Sequence, residues 1–393
     1  MQPLQTIADL DLADRTVLCR VDFNVPLDGD TVTDDTRIRA ALPTINALRE
    51  GGAKVILASH LGRPKGKPNK TMSLLPAGAR LAELLETEVW FSHETVGDGV
   101  VQLARELPAN GVLLIENLRF DPREKAGDEG FAKQLAALAD LYVNDAFGAM
   151  HRSHASITGV PQHLPCAVGM LVQAEVAAIG GLLNLGPARL PFAAILGGAK
   201  VADKIGVIEA LSKRVDHLFI GGAMAYTFLA AQGTAVGSSR VESDKLALAA
   251  ELASTCAQRG VKLHLPTDHV VAETFAADAD PSTVMDIPEG FMGLDIGPET
   301  LAAWSKTLRT CKTVFWNGPM GVFEWDSFAG GTRGVAEALA GCQAFTVVGG
   351  GDSAAAAARF GVTDRVDHVS TGGGASLEYM ENGDLVGLQA LRS

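Results

Sequence analysis

The sequence predicts an α/β protein of two domains, each a parallel sheet flanked by helices, with a helical connector between them. Three observations lead there. In the first half, short apolar segments rich in β-branched residues alternate with segments of helical periodicity, as parallel strands covered on both faces do. In the second half, apolar runs repeatedly end in Gly-Gly or Gly-Pro and most pass into alanine-rich stretches. At 393 residues the chain is also too long for one ordinary core. The expected limits are 1–167 for the first domain, 168–187 for the connector and 188–369 for the second domain, with 370–393 folding back towards the first.

Composition narrows the function classes. Hydrophobic residues make up 47% and charged residues 20%, which is globular. No apolar run approaches the ~18 residues of a membrane span. The N-terminus, MQPLQTIADLDLADR, has neither the basic nor the apolar region of an export signal. Cys19, Cys166, Cys256, Cys311 and Cys342 are scattered without a CxxC pair, against a metal knuckle or disulfide framework and in favour of a reducing, cytoplasmic setting. A formal net charge of −13 argues against nucleic-acid or membrane-surface partners. With no evident interface stripe, a monomer is expected.

Strands are predicted over Thr16–Val25, Lys54–Ser59, Gly111–Glu116 and Asp140–Asn144, and helices over Asp35–Gly51, Leu75–Glu86, Val100–Leu107 and Gly130–Ala139. Asp34, Asp35 and Thr36 are capping residues, and Pro43 predicts a break or kink in the first helix. The residues just after each strand are more telling. Asp22, Phe23 and Asn24 come at the end of the first, and His60-Leu61-Gly62-Arg63 after the second. Asn117 and Arg119 come after the third, and Asp145, His151, Arg152 and His154 after the fourth. Arg37 lies near the start of the first helix. Parallel strands bring these termini to one edge, so an acidic protein gathers arginines in one place. Guanidinium pairs with phosphate and carboxylate, so a small, multiply anionic ligand is the natural occupant. His60, His151 and His154 read either as ligand groups or as hydrogen-bonded structural histidines. Asp22 either binds a substrate hydroxyl or orients an arginine, and Asn24 either binds ligand or shapes the turn before Pro26.

Val168–Leu185, apolar and alanine-rich, ends at Gly186-Pro187 and reads as the connector. Beyond it, FAAILGGAKVADK (192–204), LFIGGAMAYTF (218–228), TVFWNGPMGVFE (313–324) and FTVVGGGDSAAAAAR (345–359) share one grammar: strand, glycine turn, continuation. Free N–H groups at a helix N-terminus after such a turn favour phosphate. None is a Walker A loop or GxGxxG, so neither of those sites is implied. Asp352 is either a Mg²⁺ ligand or a plain N-cap. Lys200 and Lys204 are expected four apart on one face at the start of a helix. An anion site in one half and a nucleotide cradle in the other point to phosphoryl transfer, which needs positioning and charge neutralisation above all.

The segments RVDFNVP, DDTRIRAALPTI, ASHLGRPKG, LLIENLRF, NDAFGAMHRSHAS, LGGAKVADKI, LFIGGAMAYTFL, WNGPMGVFE, VVGGGDSAAA and HVSTGGGASLE, in this order, make the chain resemble the phosphoglycerate kinase family over essentially its whole length. The resemblance implies two Rossmann-like domains joined by a hinge helix. It implies phosphoryl transfer from 1,3-bisphosphoglycerate to Mg·ADP, giving 3-phosphoglycerate and ATP after hinge closure, with Mg²⁺ as cofactor. The glycerate site would comprise Asp22, Phe23, Asn24, Arg37, His60, Leu61, Gly62, Arg63, Arg119 and Arg152. Arg37, Lys200 and the amides of Gly372, Gly373 and Gly374 would steady the transferring group. Gly198, Lys204, Gly221, Gly293, Asn317, Glu324, Gly350, Gly351, Asp352 and Ser353 would hold the nucleotide, with Asp352 on the metal. One departure is Gly148-Ala149-Met150-His151, where the family commonly has Gly-Thr-Ala-His. A non-catalytic nucleotide-binding regulatory protein of the same fold is the alternative, and the complete transfer set argues against it.

Overall fold

In the computed structural model, which describes residues 3–392, the first strand is β1 (Thr16–Arg20). A hairpin of β2 (Leu27–Asp28) and β3 (Thr31–Val32) comes next, then α1 (Thr36–Glu50), β4 (Lys54–Ala58), α2 (Leu75–Leu85), β5 (Val89–Phe91) and α3 (Asp98–Glu106). After these come β6 (Val112–Leu114), α4 (Pro122–Ala126), α5 (Glu129–Ala136), β7 (Leu141–Asn144), β8 (Cys166–Val168) and α6 (Met170–Leu183). The sheet order is β5-β6-β4-β1-β7-β8, and every pairing is parallel. Val17 and Cys19 of β1 and Val55 and Leu57 of β4 share a core with Ile38, Ile45 and Leu48 of α1.

The first strand is shorter than its apolar run, because the chain leaves the sheet after Arg20 and Phe23 N turns to Ser59 Oγ at 2.8 Å. Helix α1 runs through Pro43 without the break that the proline allowed. Pro43 is exposed, so water can satisfy the carbonyl it leaves unpaired, while the opposite face buries Ile38, Ala41, Ile45 and Leu48.

The second sheet begins at β9 (Phe192–Leu196), followed by α7 (Ile205–Leu211), β10 (His217–Ile220), α8 (Met224–Ala231), α9 (Leu246–Gln258) and β11 (Lys262–His264). Then come β12 (His269–Ala272), β13 (Ser282–Val284), β14 (Met292–Ile296), α10 (Pro298–Leu308), β15 (Thr313–Asn317) and α11 (Gly330–Ala340). The chain continues through β16 (Phe345–Val348), α12 (Gly351–Arg359), β17 (His368–Val369), α13 (Gly373–Asn382) and α14 (Val386–Ala390). The order β11-β10-β9-β15-β16-β17 is again wholly parallel. Strands β13-β12-β14 form a small antiparallel sheet that the apolar pattern did not announce.

The chain divides into two compact units, one running to Ala177 and resuming at Asp384, the other Ala178–Gly383. The division falls inside α6. The tail divides too, α13 in the second unit and α14 in the first, where Gly387 N donates to Met150 O at 2.8 Å. Among the described residues no helix is long and apolar enough to cross a membrane.

Candidate functional site

In the first unit the residues just beyond β1, β4, β6 and β7 share one edge, since all four strands run parallel. Arg37, in the first turn of α1, places Nη1 2.6 Å from Asp22 Oδ2. Asp22 Oδ1 lies 3.8 Å from His60 Nδ1, beyond hydrogen-bond reach. Asn24 Oδ1 accepts from Gly62 N at 2.9 Å, tying the loop after β1 to that after β4. Arg119 is nearly buried; its Nη1 donates to Gly62 O at 2.6 Å while its Nε has no partner. Arg152 Nε donates to His151 Nε2 at 3.1 Å, and Arg63 is exposed.

The electrostatics are those of crowded cations. Burial, with Arg152 and Arg20 nearby, lowers the Arg119 guanidinium to about 10. Burial also lowers Arg152, opposed by Asp22. His60 is driven well below the ordinary histidine range by burial and then by Arg20, Arg119, Arg152 and Arg37, so it is neutral. His154 falls to about 3, from burial and Arg119, and His151 is lowered by burial and Arg152. Such a cluster carries more positive than negative charge and favours an anionic ligand.

In the second unit the glycine turns after β9, β10, β15 and β16 occupy one edge. Gly350 caps α12 with φ +97°, a conformation that favours glycine, and a Cβ there would stand 2.7 Å from Asn317 Nδ2. The Cβ position of Gly373 is 3.9 Å from the Gly351 amide nitrogen, so the starts of α12 and α13 adjoin. A cavity of about 470 Å³ beside the turns is lined by Gly198, Gly222, Tyr226, Gly293, Met320, Glu324 and Asp352. Asp352 is exposed in the first turn of α12, with no hydrogen-bond partner among the described residues.

One sequence expectation, the shared helical face of Lys200 and Lys204, is corrected, and other expected site residues are placed more closely. Phe23 and Leu61, expected at the glycerate site, have side chains buried in the first core. Lys200 and Lys204 do not share a helical face: Ala202–Lys204 is a 3₁₀ turn and α7 begins at Ile205. Lys200 is exposed, whereas Lys204 Nζ is drawn inward to Asn317. Gly221 is buried against Met320, and it is Gly222 that lines the cavity. Asn317 and Ser353 are buried behind the turns, where the Ser353 hydroxyl accepts from Gly318 N.

Other residues were given no role in a site by sequence. Arg20, wholly buried at the end of β1, bonds Ser156 and His60, and its signal was a charge inside an apolar strand run. Asn117 bonds the backbones of Leu61, Met72 and Arg119, and nothing in sequence distinguished it from a turn residue. Tyr226, read only as part of the continuation after a glycine turn, lines the cavity of the second unit.

A cation cluster suited to a small anion in one unit, and a glycine-lined cavity with an inward lysine in the other, fit a small-molecule kinase built of two α/β units. A family model described as phosphoglycerate kinase matches residues 7–383. The chain is 54% identical over 391 residues to phosphoglycerate kinase of Roseiflexus castenholzii, covering 98% of each chain. It is 55% identical over 393 residues to that of Anaeromyxobacter sp., covering 98% of this chain and 99% of the other. Among solved structures, phosphoglycerate kinase from Coxiella burnetii superposes with a TM-score of 0.88 at 37% identity, over 99% of this chain and 98% of that one. The enzyme from Pyrococcus horikoshii gives 0.88 at 31% identity with the same coverage. The chain belongs to the phosphoglycerate kinase family, and it is a phosphotransferase.

Proposed function

We propose that the first unit binds 3-phosphoglycerate or 1,3-bisphosphoglycerate, that the second binds ATP or ADP, and that a phosphoryl group passes reversibly between them. The observation that carries this is the convergence of Arg37, Arg119 and Arg152 with neutral His60 on one sheet edge of an acidic protein. In this reading Arg63, Arg119, Arg152 and His60 take the glycerate and its terminal phosphate, with Asp22 and Asn24 on its polar groups and the backbone of Phe23, Leu61 and Gly62 closing the pocket. Arg37 and Lys200 stabilise the transferring group together with the amides of Gly372, Gly373 and Gly374. Lys204, Gly198, Gly222, Gly350 and Gly351 hold phosphates. Gly293, Glu324 and the buried Asn317 and Ser353 shape the nucleoside side.

Asp352 fits Mg²⁺, because a single free carboxylate beside a phosphate cradle is what a phosphate-borne magnesium requires. When bound, the ion neutralises charge on the nucleotide phosphates. In the forward direction the bond from phosphorus to the acyl oxygen breaks as one to the ADP β-phosphate oxygen forms. In reverse the acceptor is a carboxylate, already ionised at neutral pH, so no general base is needed. An acyl phosphate is readily hydrolysed, so the reading includes hinge closure that excludes water, with α6 as the hinge helix. It also includes a cytoplasmic, monomeric enzyme with no nucleic-acid or membrane partner.

A coupled assay with 3-phosphoglycerate and Mg·ATP tests this. Activity in the wild type and a fall of several orders of magnitude in folded Arg37→Ala and Lys200→Ala are expected. A folded wild type that binds ATP without turnover would overturn the reading.

A further inference from the structure

We propose that Arg20 is a positioning residue that holds His60 as the tautomer protonated on Nε2, so that His60 meets an anionic ligand only as a hydrogen-bond donor. The inference rests on reading the first unit as the glycerate site.

Hydrogen-bond direction fixes the tautomer. A guanidinium donates and never accepts. Arg20 Nη2 lies 3.1 Å from His60 Nδ1, so that nitrogen must offer its lone pair, and the one proton of a neutral imidazole is left to Nε2. Asp22 cannot set the opposite tautomer, because its Oδ1 stands 3.8 Å from the same nitrogen. A second proton would aim an N–H at a guanidinium, and burial with four surrounding arginines already keeps the ring neutral.

Arg20 itself has no freedom to turn away. Its Nε donates to Ser156 Oγ at 2.9 Å and its Nη1 to the carbonyl of Val21. Ser156 in turn donates from Oγ to Glu124 Oε1 at 2.6 Å and from its backbone N to Oε2 at 2.9 Å. Because a carboxylate only accepts, each bond in the chain Glu124–Ser156–Arg20–His60 has a forced direction. All four side chains are buried. A buried network with every direction fixed admits one tautomer at its end. Among guanidinium groups that attract by charge, His60 then adds a neutral, directional N–H suited to a carboxylate or hydroxyl oxygen.

The test is ¹⁵N NMR of the imidazole nitrogens in the full chain labelled at histidine, without substrate, at neutral pH. The expected spectrum has His60 Nδ1 unprotonated and Nε2 protonated. An Nδ1–H tautomer, an imidazolium or an averaged pair would overturn the proposal. Arg20→Met should give a tautomer mixture and raise KM for 3-phosphoglycerate about tenfold with KM for Mg·ATP unchanged, as loss of one oriented hydrogen bond predicts. Arg20→Lys, which keeps a donor, should restore the Nε2–H form. If Arg20→Met does not fold, Ser156→Ala is expected to shift part of the population, and an unchanged spectrum there would count against Arg20. The spectra need no turnover, so they stand or fall apart from the assigned reaction.

Discussion

Lys204 and Asn317 are locked together: the lysine Nζ donates to the asparagine carbonyl oxygen at 2.9 Å and also to its side-chain Oδ1. Asn317 Nδ2 then donates to Gly349 O at 2.7 Å, so the lysine, the end of β15 and the turn before α12 form one unit. Burial lowers the ammonium to about 8, against the pull of Asp352 and Asp203. A nucleotide phosphate brought to this lysine favours its charged form and raises that value again. Nucleotide binding near pH 8.5 is therefore expected to take up a fraction of a proton. Calorimetry in buffers of different ionisation heat reads this directly. Equal heats in all buffers would contradict it, and Lys204→Met should abolish the buffer dependence while weakening binding about tenfold or more.

Asn117 links three backbone segments of the first unit. Its Nδ2 donates to Leu61 O at 2.7 Å and Met72 O at 2.9 Å, and its Oδ1 accepts from Leu61 N and Arg119 N, each at 3.1 Å. Asn117→Ala leaves these buried groups unpaired and should cost about 2–4 kcal/mol of stability. It also frees the His60–Arg63 loop, so KM for 3-phosphoglycerate should rise more than that for Mg·ATP. Urea denaturation and steady-state kinetics on the same preparation check both halves. An unchanged KM would show that Asn117 serves stability alone.

Gly293 illustrates the opposite constraint, space rather than bonding. A Cβ there would overlap the hydroxyl and ring of Tyr226, which is 3% exposed and has nowhere to go. Gly293→Ala is expected to destabilise the second unit by about 1–3 kcal/mol and to weaken ATP binding, since both residues line the cavity. Adding Tyr226→Phe removes the oxygen and should recover part of the loss. Thermal melts with and without ATP separate the two effects.

Much of this was legible in the sequence because parallel strands put their glycines and arginines at predictable ends. Asp22, His60 and Arg119 needed only that rule to be placed on one edge. Arg20 was not legible as a partner of His60, since the pairing of β1 with β4 brings together residues 40 positions apart and only then decides which strand end faces which. Lys204 was misplaced because strand–glycine–lysine suggested a helix start, whereas the chain makes a 3₁₀ turn first and points the ammonium inward. Strands β12, β13 and β14 escaped notice for a different reason. β12 and β13 are only four and three residues long and β14 carries a glycine, so they show little alternation and their pairing is set by tertiary contact.

Asp295, at the end of β14, supplies a test by pH. Its Oδ1 accepts from Ile296 N at 2.9 Å and its Oδ2 from Gly331 N at 2.6 Å, yet burial outweighs both and pushes the carboxyl up to about 7. In the unfolded chain the ordinary value is 3.8. Between those values the folded state holds a proton that the unfolded state has released. The contribution of this group is therefore full below about pH 4 and is lost as pH rises through about 7. Wild-type stability is expected to fall by the order of 2–4 kcal/mol from this source between pH 4 and pH 8. Asp295→Asn cannot titrate, and its amide must set an N–H against one of the two backbone donors, so it should be less stable at pH 5. Its loss between pH 5 and pH 8 should nonetheless be smaller than that of the wild type. Urea denaturation of both proteins at the two pH values reads the difference, and parallel slopes would place the carboxyl's titration outside this window.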